Sequence, residues 1–289
     1  MPSRIAVIDG VTQPLEDAKV GVTDRGFLYG DSVFETIRTY GGKPYALGRH
    51  LSRLARSAEK VHIPLPLSGE ELAREIEEAV VAAGNPESYV RVTITRGSGE
   101  LGLDPSLAEK PLRVILVTPL VAPAPEAYER GISAVTYRVR RASDATDAAG
   151  AKIGNYLVSV LAMRQAKAAG AGEALIVDGD GHVVEGATSN VFFVKGEGLL
   201  TPPEDAGILS GITRQTMLDV AKDLGVRVEQ RAPVLAELPT FQEAFITSSI
   251  RELLPVVRID ETTVGAGVPG PVSKKLLAAF RERTRRDLA

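Results

Sequence analysis

The 289-residue chain has no cysteine, which excludes disulfides, thiolate metal sites and a cysteine nucleophile. That absence agrees with a reducing compartment, so the cytoplasm is the expected location. Histidine is scarce: His50, His62 and His182 stand far apart in no metal-ligand spacing, so zinc hydrolysis and a histidine triad have little to rest on, and no metal site is expected. No segment reaches the ~18 apolar residues of a spanning helix, and Met1-Pro2-Ser3-Arg4-Ile5 lacks the apolar core of a signal peptide. No stretch gathers a run of like charges, and 34 Lys and Arg nearly balance 37 Asp and Glu, for a net charge of −3. The electrostatic footprint of a nucleic-acid or membrane binder is therefore missing, and small molecules are the expected partners.

What is present is an ordinary globular composition, 44% hydrophobic and 25% charged, enough for one large or two medium domains. Residues 1–119 read as a small N-terminal α/β domain. Strands are expected at Arg4–Ile8, Val20–Thr23, Val33–Tyr40, Tyr89–Thr95 and Leu112–Val117. Two amphipathic helices cover them, Gly48–Val61 and Ser68–Ala83, the second opening on a Ser-x-x-Glu capping box. Three prolines between Thr118 and Glu126 mark 120–130 as a stiff interdomain linker. Residues 131–289 read as a larger α/β domain with a strand at Ile132–Arg138 and a helix from an Asn155 cap to Ala169. A hairpin follows, its arms Glu173–Val177 and His182–Val194, then a helix at Ile212–Leu224, a strand at Ala244–Thr247 and a C-terminal helix at Val272–Arg285.

Lys152 lies among small residues, Ala148-Ala-Gly-Ala-Lys-Ile-Gly-Asn155, and taken alone reads as a solvated loop lysine. A lysine that forms a Schiff base must be partly desolvated, so that its free amine can attack a carbonyl. If that carbonyl belongs to pyridoxal 5'-phosphate, three companions are needed: an acid for the pyridine nitrogen, an anion cup for the phosphate and a donor at the phenolic oxygen. Leu209-Ser-Gly-Ile-Thr-Arg214 opens a helix whose first N–H groups have no intrahelical acceptors, a seat for phosphate; Ser210 reads equally well as an N-cap. Thr247-Ser-Ser249 is a second hydroxyl-rich turn. Arg53 offers a fixed positive charge or a surface salt bridge. Alternation puts Val183, Glu185 and Ala187 on one face, so Glu185 shares an apolar surface and needs a cation, unless its strand is an edge facing water. Tyr156, four residues after Lys152, is a phenolic-oxygen partner or a core aromatic. Gly97-Ser-Gly-Glu-Leu-Gly102 matches the dinucleotide fingerprint, but Leu103-Asp-Pro-Ser continues as a turn where a helix is required.

These motifs together resemble the class IV aminotransferases, the fold-type IV pyridoxal phosphate enzymes. The resemblance runs in order through Asp24–Arg38, His50-Leu-Ser-Arg-Leu54, Lys152-Ile-Gly-Asn-Tyr156, Glu185-Gly-Ala-Thr-Ser-Asn190, Gly211-Ile-Thr-Arg214 and Phe245-Ile-Thr-Ser-Ser249. It implies a two-domain α/β enzyme whose larger domain is a pseudo-barrel, acting as a homodimer. It implies that Lys152 is the Schiff-base lysine and proton shuttle and that Glu185 holds the pyridine nitrogen. Arg53, Ile212, Thr213 and Ser249 would grip the phosphate, with Tyr156 at the phenolic oxygen. Ser189, Asn190, Gly211 and Ser248 join the cofactor-binding set through the same motifs. Tyr29, Phe34, Thr36, Arg38, Tyr89, Arg91, Ser249 and Ile250 are the implied substrate residues. Tyr89-Val-Arg91 and Gly99–Gly102 are similar to the branched-chain group and point to apolar L-amino acids with 2-oxoglutarate in a ping-pong exchange. Gly102-Leu-Asp104 stands where D-amino-acid enzymes carry an Arg-x-His pair. Thr36, in place of a glycine, and the Ser248-Ser249-Ile250 turn are shared with lyase-like members. The alternatives are an aminodeoxychorismate lyase, a D-amino-acid or (R)-amine aminotransferase and, remotely, a dinucleotide-dependent oxidoreductase.

Overall fold

The structure is a computed structural model that describes residues 3–108, 110–139 and 148–289. The chain divides into two compact units, Met1–Val121 with Ala151–Tyr156, and Ala122–Gly150 with Leu157–Ala289. Both are mixed α/β.

In the first unit the elements are β1 (Ile5–Ile8), β2 (Val11–Pro14), α1 (Arg25–Tyr29), β3 (Ser32–Tyr40), β4 (Lys43–Pro44), α2 (Leu47–Lys60), α3 (Gly69–Ala83), β5 (Ser88–Thr95) and β6 (Leu112–Pro119). The strands form an antiparallel sheet in the order β2-β1-β6-β5-β3-β4. Val7, Val33, Ile37, Val90, Val92, Ile94, Ile115 and Val117 pack against Leu51, Leu54 and Ala58 of α2 and Leu72, Ile76 and Val80 of α3. The α3 capping box is formed, Ser68 Oγ accepting the Glu71 N–H and the Glu71 carboxylate accepting the Ser68 N–H. The expected strand at Val20–Thr23 is absent; Val20 and Val22 are exposed, and the edge strand is β2, which pairs with β1. Periodicity missed β2 because the strand is exposed on both faces, with only Gln13 half-buried, and so has no apolar alternation to display.

The second unit contains α4 (Pro125–Arg130), β7 (Ile132–Arg138), α5 (Leu157–Ala168), β8 (Glu173–Val177), β9 (Val183–Gly186), β10 (Asn190–Lys195), β11 (Gly198–Thr201), α6 (Ile212–Asp223), β12 (Val228–Gln230), β13 (Glu243–Ser248), β14 (Glu252–Ile259), β15 (Thr262–Thr263) and α7 (Pro271–Leu288). Its sheet runs β12-β11-β10-β13-β14-β7-β8-β9, with β15 on β14. The pairs β11/β12, β14/β7 and β7/β8 are parallel. One face buries Leu175, Val183, Val191, Phe193, Ile246 and Leu254. Phe192 and Phe245 stack on the opposite face, where α6 and α7 lie beside β13. The single arm expected at His182–Val194 is two strands, β9 and β10, separated by a tight turn in which the Gly186 N–H donates to the Ser189 carbonyl. The helix expected from an Asn155 cap starts at Leu157. Among the described residues no helix is long and apolar enough to cross a membrane.

Candidate active site

Strand β3 sorts its side chains by alternation. Val33, Glu35 and Ile37 turn toward the helices, while Phe34, Thr36 and Arg38 turn to the other face. A carboxylate on the helix side has no water to solvate it and must be matched by cations. Helix α2 supplies one cation and further polar groups: His50, Arg53 and Ser57 recur at i, i+3 and i+7 as a polar stripe within its buried face. Arg53 grips Glu35 side-on, Nε to Oε1 at 2.7 Å and Nη2 to Oε2 at 2.7 Å, and His50 Nδ1 adds a third bond to Oε2 at 2.7 Å. Since a carboxylate only accepts, Nδ1 carries the hydrogen. Burial pushes the Glu35 carboxyl up, but the bonds from Arg53 and His50 outweigh it and hold the group at about 2. Burial depresses His50 against the pull of Glu35, which favours the neutral ring.

The third polar residue of the stripe leads to Lys152. Ser57 Oγ accepts the Lys152 N–H at 3.1 Å, the Phe34 N–H donates to the Lys152 carbonyl at 3.0 Å, and Ile153 bridges Val33. The segment is thereby laid along β3. The Lys152 side chain is half-buried; its Nζ donates to the Tyr156 hydroxyl at 2.8 Å and sits 4.3 Å from the centroid of the Phe34 ring. Tyr156 meets Phe34 edge-on at 5.0 Å.

Register places five of the expected substrate residues on one sheet face, because Thr36 pairs with Arg91 and Arg38 with Tyr89. The Arg91 guanidinium lies 3.6 Å from the Phe34 ring centroid, half-buried, and meets no carboxylate among the described residues. Arg38, by contrast, is neutralised by Glu87 at 2.8 Å and covers Tyr40. Tyr29 closes α1, and its hydroxyl accepts the Gly102 N–H at 3.1 Å. No helix follows Gly97–Gly102, only a 3-10 turn at Pro105–Leu107. A Cβ on Gly97 would lie 1.7 Å from the Lys110 carbonyl oxygen and one on Gly99 1.9 Å from that of Leu107. These glycines let the loop fold on itself, and the helix start that a pyrophosphate needs is missing.

In the second unit Glu185 is half-buried on β9, flanked by the buried Val184 and Gly186, and its Oε2 accepts the Leu209 N–H at 3.1 Å. Asn190 donates to the Leu209 carbonyl at 2.9 Å. Gly211 is the N-cap of α6, with no side chain capping the turn, so the N–H groups of buried Ile212 and Thr213 stand at an uncapped helix start. A Cβ on Gly211 would fall 2.0 Å from Asn190 Oδ1, so a side chain here would have to displace the Asn190 amide. Ser210 donates to Glu204 at 2.8 Å and does not cap. Ser189 donates to Glu173 at 2.8 Å. Ser248 Oγ accepts from Arg251, and Ser249 and Ile250 lie half-buried in the turn after β13. The Thr247 hydroxyl, on the strand position paired with Asn190, is buried with no partner among the described residues.

Sequence reasoning missed Glu35, His50, Glu173 and Arg251. Glu35 was legible: alternation puts it on the face of Val33 and Ile37, and an acid there calls for the His50/Arg53 pair. Glu173 opens an otherwise apolar strand and gave no periodic signal.

Pyridoxal phosphate presents an aldehyde, a phenolic oxygen, a ring nitrogen and a phosphate. The residues fit these groups in kind: an amine hydrogen-bonded to a phenol, a half-buried carboxylate, and an uncapped helix start opened by a glycine.

Comparison with known proteins agrees. The family model for amino-transferase class IV matches residues 32–259. A Methanocaldococcus jannaschii protein provisionally named a branched-chain-amino-acid aminotransferase is 40% identical over 267 residues, 92% of each chain. A D-alanine aminotransferase of Bacillus licheniformis is 32% identical over 275 residues, 95% of each chain. The crystal structure of the T.th. branched-chain amino acid aminotransferase with pyridoxamine 5'-phosphate superposes with a TM-score of 0.91 at 32% identity, covering 97% of this chain and 93% of that one. From its motifs, its fold and these relatives, the chain belongs to the class IV aminotransferases and is a transaminase.

Proposed function

We propose that this transaminase carries pyridoxal 5'-phosphate on Lys152 and moves the amino group of branched-chain or other apolar L-amino acids to 2-oxoglutarate. The observation that carries the reading is the Lys152 amine held 2.8 Å from the Tyr156 hydroxyl over the Phe34 ring, on the face shared with Thr36 and Arg91. Bound cofactor supplies an electron sink for the carbanion character that develops at the substrate α-carbon. Everything else falls to the chain. Lys152 Nζ would hold the cofactor at its carbonyl carbon, and the same amine, when free, would take and return the substrate α-proton. Tyr156 keeps a donor at the phenolic oxygen. Glu185 holds the ring nitrogen protonated; Ile212 and Thr213 N–H, Ser249 and Arg53 take the phosphate, which suits an uncapped helix start. Ser189, Asn190, Gly211 and Ser248 shape these seats by bonding or packing with their neighbours.

Phe34 and Tyr89 give the substrate side chain an apolar wall, Tyr29 and Ile250 complete it, and Thr36 narrows it. Arg91, with no acid beside it among the described residues, receives the second carboxylate of the oxo acid. The residue ranges 1–119, 120–130 and 131–289 are proposed as small domain, linker and cofactor domain, with the difference that Ala151–Tyr156 group with the first unit and that the linker range holds α4 instead of being extended throughout. A second copy of the chain is proposed as the partner: Phe27, Leu101 and Leu103 of the first unit and Leu157, Val158, Val160 and Leu161 of the second leave apolar side chains exposed. The test is steady-state turnover with a panel of L- and D-amino acids, (R)-amines and aminodeoxychorismate. Leucine with 2-oxoglutarate is expected to lead; pyruvate released from aminodeoxychorismate without transamination, or preference for a D-donor, overturns the substrate assignment.

A further inference from the structure

Glu173, the first residue of β8, is fully buried, yet none of the roles above uses it. Its carboxylate is the hub of four bonds. Oε1 accepts the Ala174 N–H at 2.9 Å, and Oε2 accepts Ser189 Oγ at 2.8 Å, Thr188 Oγ1 at 3.0 Å and Arg251 Nη2 at 2.6 Å. The same Arg251 Nη2 also donates to Thr188 Oγ1 at 2.6 Å, and Nε donates to Ser248 Oγ at 3.3 Å. The Tyr128 hydroxyl fixes the Arg251 carbonyl at 3.2 Å. Gly186 makes the approach possible, since a Cβ there would lie 2.1 Å from Ser189 Oγ and 3.2 Å from the Glu173 carboxyl carbon.

Two turns thus hang from one ion pair. The first, 186–189, follows Glu185 directly and leads into Asn190. The second, 248–251, holds Ser248, Ser249 and Ile250. Burying a lone carboxylate is costly, and Arg251 is the only cation that reaches this one among the described residues. The pair therefore has a strong preference for one geometry, and both turns inherit it. We propose that Glu173 and Arg251 are positioning residues that lock the Thr188–Ser189 and Ser248–Ile250 turns together, and so set the phosphate and substrate donors on the second turn relative to Glu185. This rests on the cofactor reading given above.

The experiment uses the full-length protein with Glu173→Gln, Arg251→Lys, Arg251→Met and the double variant Glu173→Gln/Arg251→Met. Dissociation constants are measured for pyridoxal phosphate and for pyridoxal, which lacks the phosphate, alongside thermal midpoints. Removing a hydrogen-bonded charge from the clamp is expected to weaken pyridoxal phosphate by about tenfold and pyridoxal far less. Arg251→Lys keeps the charge without the fork and falls between wild type and Arg251→Met. The double variant stays within about threefold of the worse single one, because the two residues act as a unit. If Glu173→Gln does not fold, Arg251→Lys and Thr188→Val are judged by the same readouts.

Lower thermal midpoints with unchanged cofactor affinity would reduce the pair to a structural brace and overturn the proposal. Equal losses for pyridoxal and pyridoxal phosphate, or multiplicative losses in the double variant, would overturn it too. A wild-type protein that binds no pyridoxal phosphate would instead overturn the reading on which the proposal stands.

Discussion

Replacing Glu35 by glutamine should expose how the first unit is held together. The carboxylate is fully buried and receives three bonds of 2.7 Å from Arg53 and His50. Glutamine keeps the volume but in either orientation puts an NH2 group where at least one donor points, leaving the Arg53 charge buried without its counter-ion. Holding the carboxyl at about 2 instead of 4.5 corresponds, at about 1.4 kcal/mol per tenfold change in proton affinity, to ~3 kcal/mol. That agrees with the ~3–5 kcal/mol for breaking a buried pair by removing one partner. The sign follows from linkage: a depressed carboxyl stabilises fully above the unfolded value near 4.5, and the gain is lost as pH falls toward about 2. Urea denaturation followed by far-UV circular dichroism is the assay. With a denaturant slope of ~3 kcal/mol per molar for a chain of this size, Glu35→Gln should lower the midpoint by ~1 M at pH 7. The gap should shrink by more than about half at pH 3. Equal midpoints at pH 7, or a gap that persists undiminished at pH 3, would refute the ion-pair reasoning.

Gly211→Ala drives a Cβ to 2.0 Å from Asn190 Oδ1, so Asn190 or the start of α6 must move; a stability loss of ~1–3 kcal/mol is expected. Pyridoxal phosphate should then bind at least about tenfold more weakly, as titration by visible absorbance would measure. Arg91→Met keeps a side chain against Phe34 while removing the guanidinium 3.6 Å from that ring. It should raise the KM for 2-oxoglutarate by about tenfold or more and change that for leucine much less, as steady-state kinetics would show.

Much of the proposed site is a reading of local signatures in the sequence, because the chemistry it is assigned depends on them. A glycine opening a helix is one local signature, and a lysine in a small-residue run with a tyrosine four residues on is another. What could not be read were the pairings made across the fold. Lys152 joins the first unit through Ser57, 95 residues earlier, and Arg251 reaches Glu173 across 78. No periodicity records such contacts. The strands missed, β2, β4, β11, β12, β14 and β15, are pieces of two to four residues or, in β14, a run buried over its first five residues, and none shows sustained alternation. Val20–Thr23 failed for the opposite reason, an apolar stretch with nothing to cover it. Arg38 was expected among the substrate residues, and its charge is met by Glu87, a neighbour that only strand register brings near.

The central claim, that Lys152 carries pyridoxal phosphate for amino-group transfer, is tested most directly by the visible spectrum of the protein reconstituted with the cofactor. A visible band that is absent from Lys152→Ala, and that leucine bleaches and 2-oxoglutarate restores in the wild type, is the predicted result. A wild type without the band, or a Lys152→Ala variant that retains it and still responds to leucine and 2-oxoglutarate, would contradict the account.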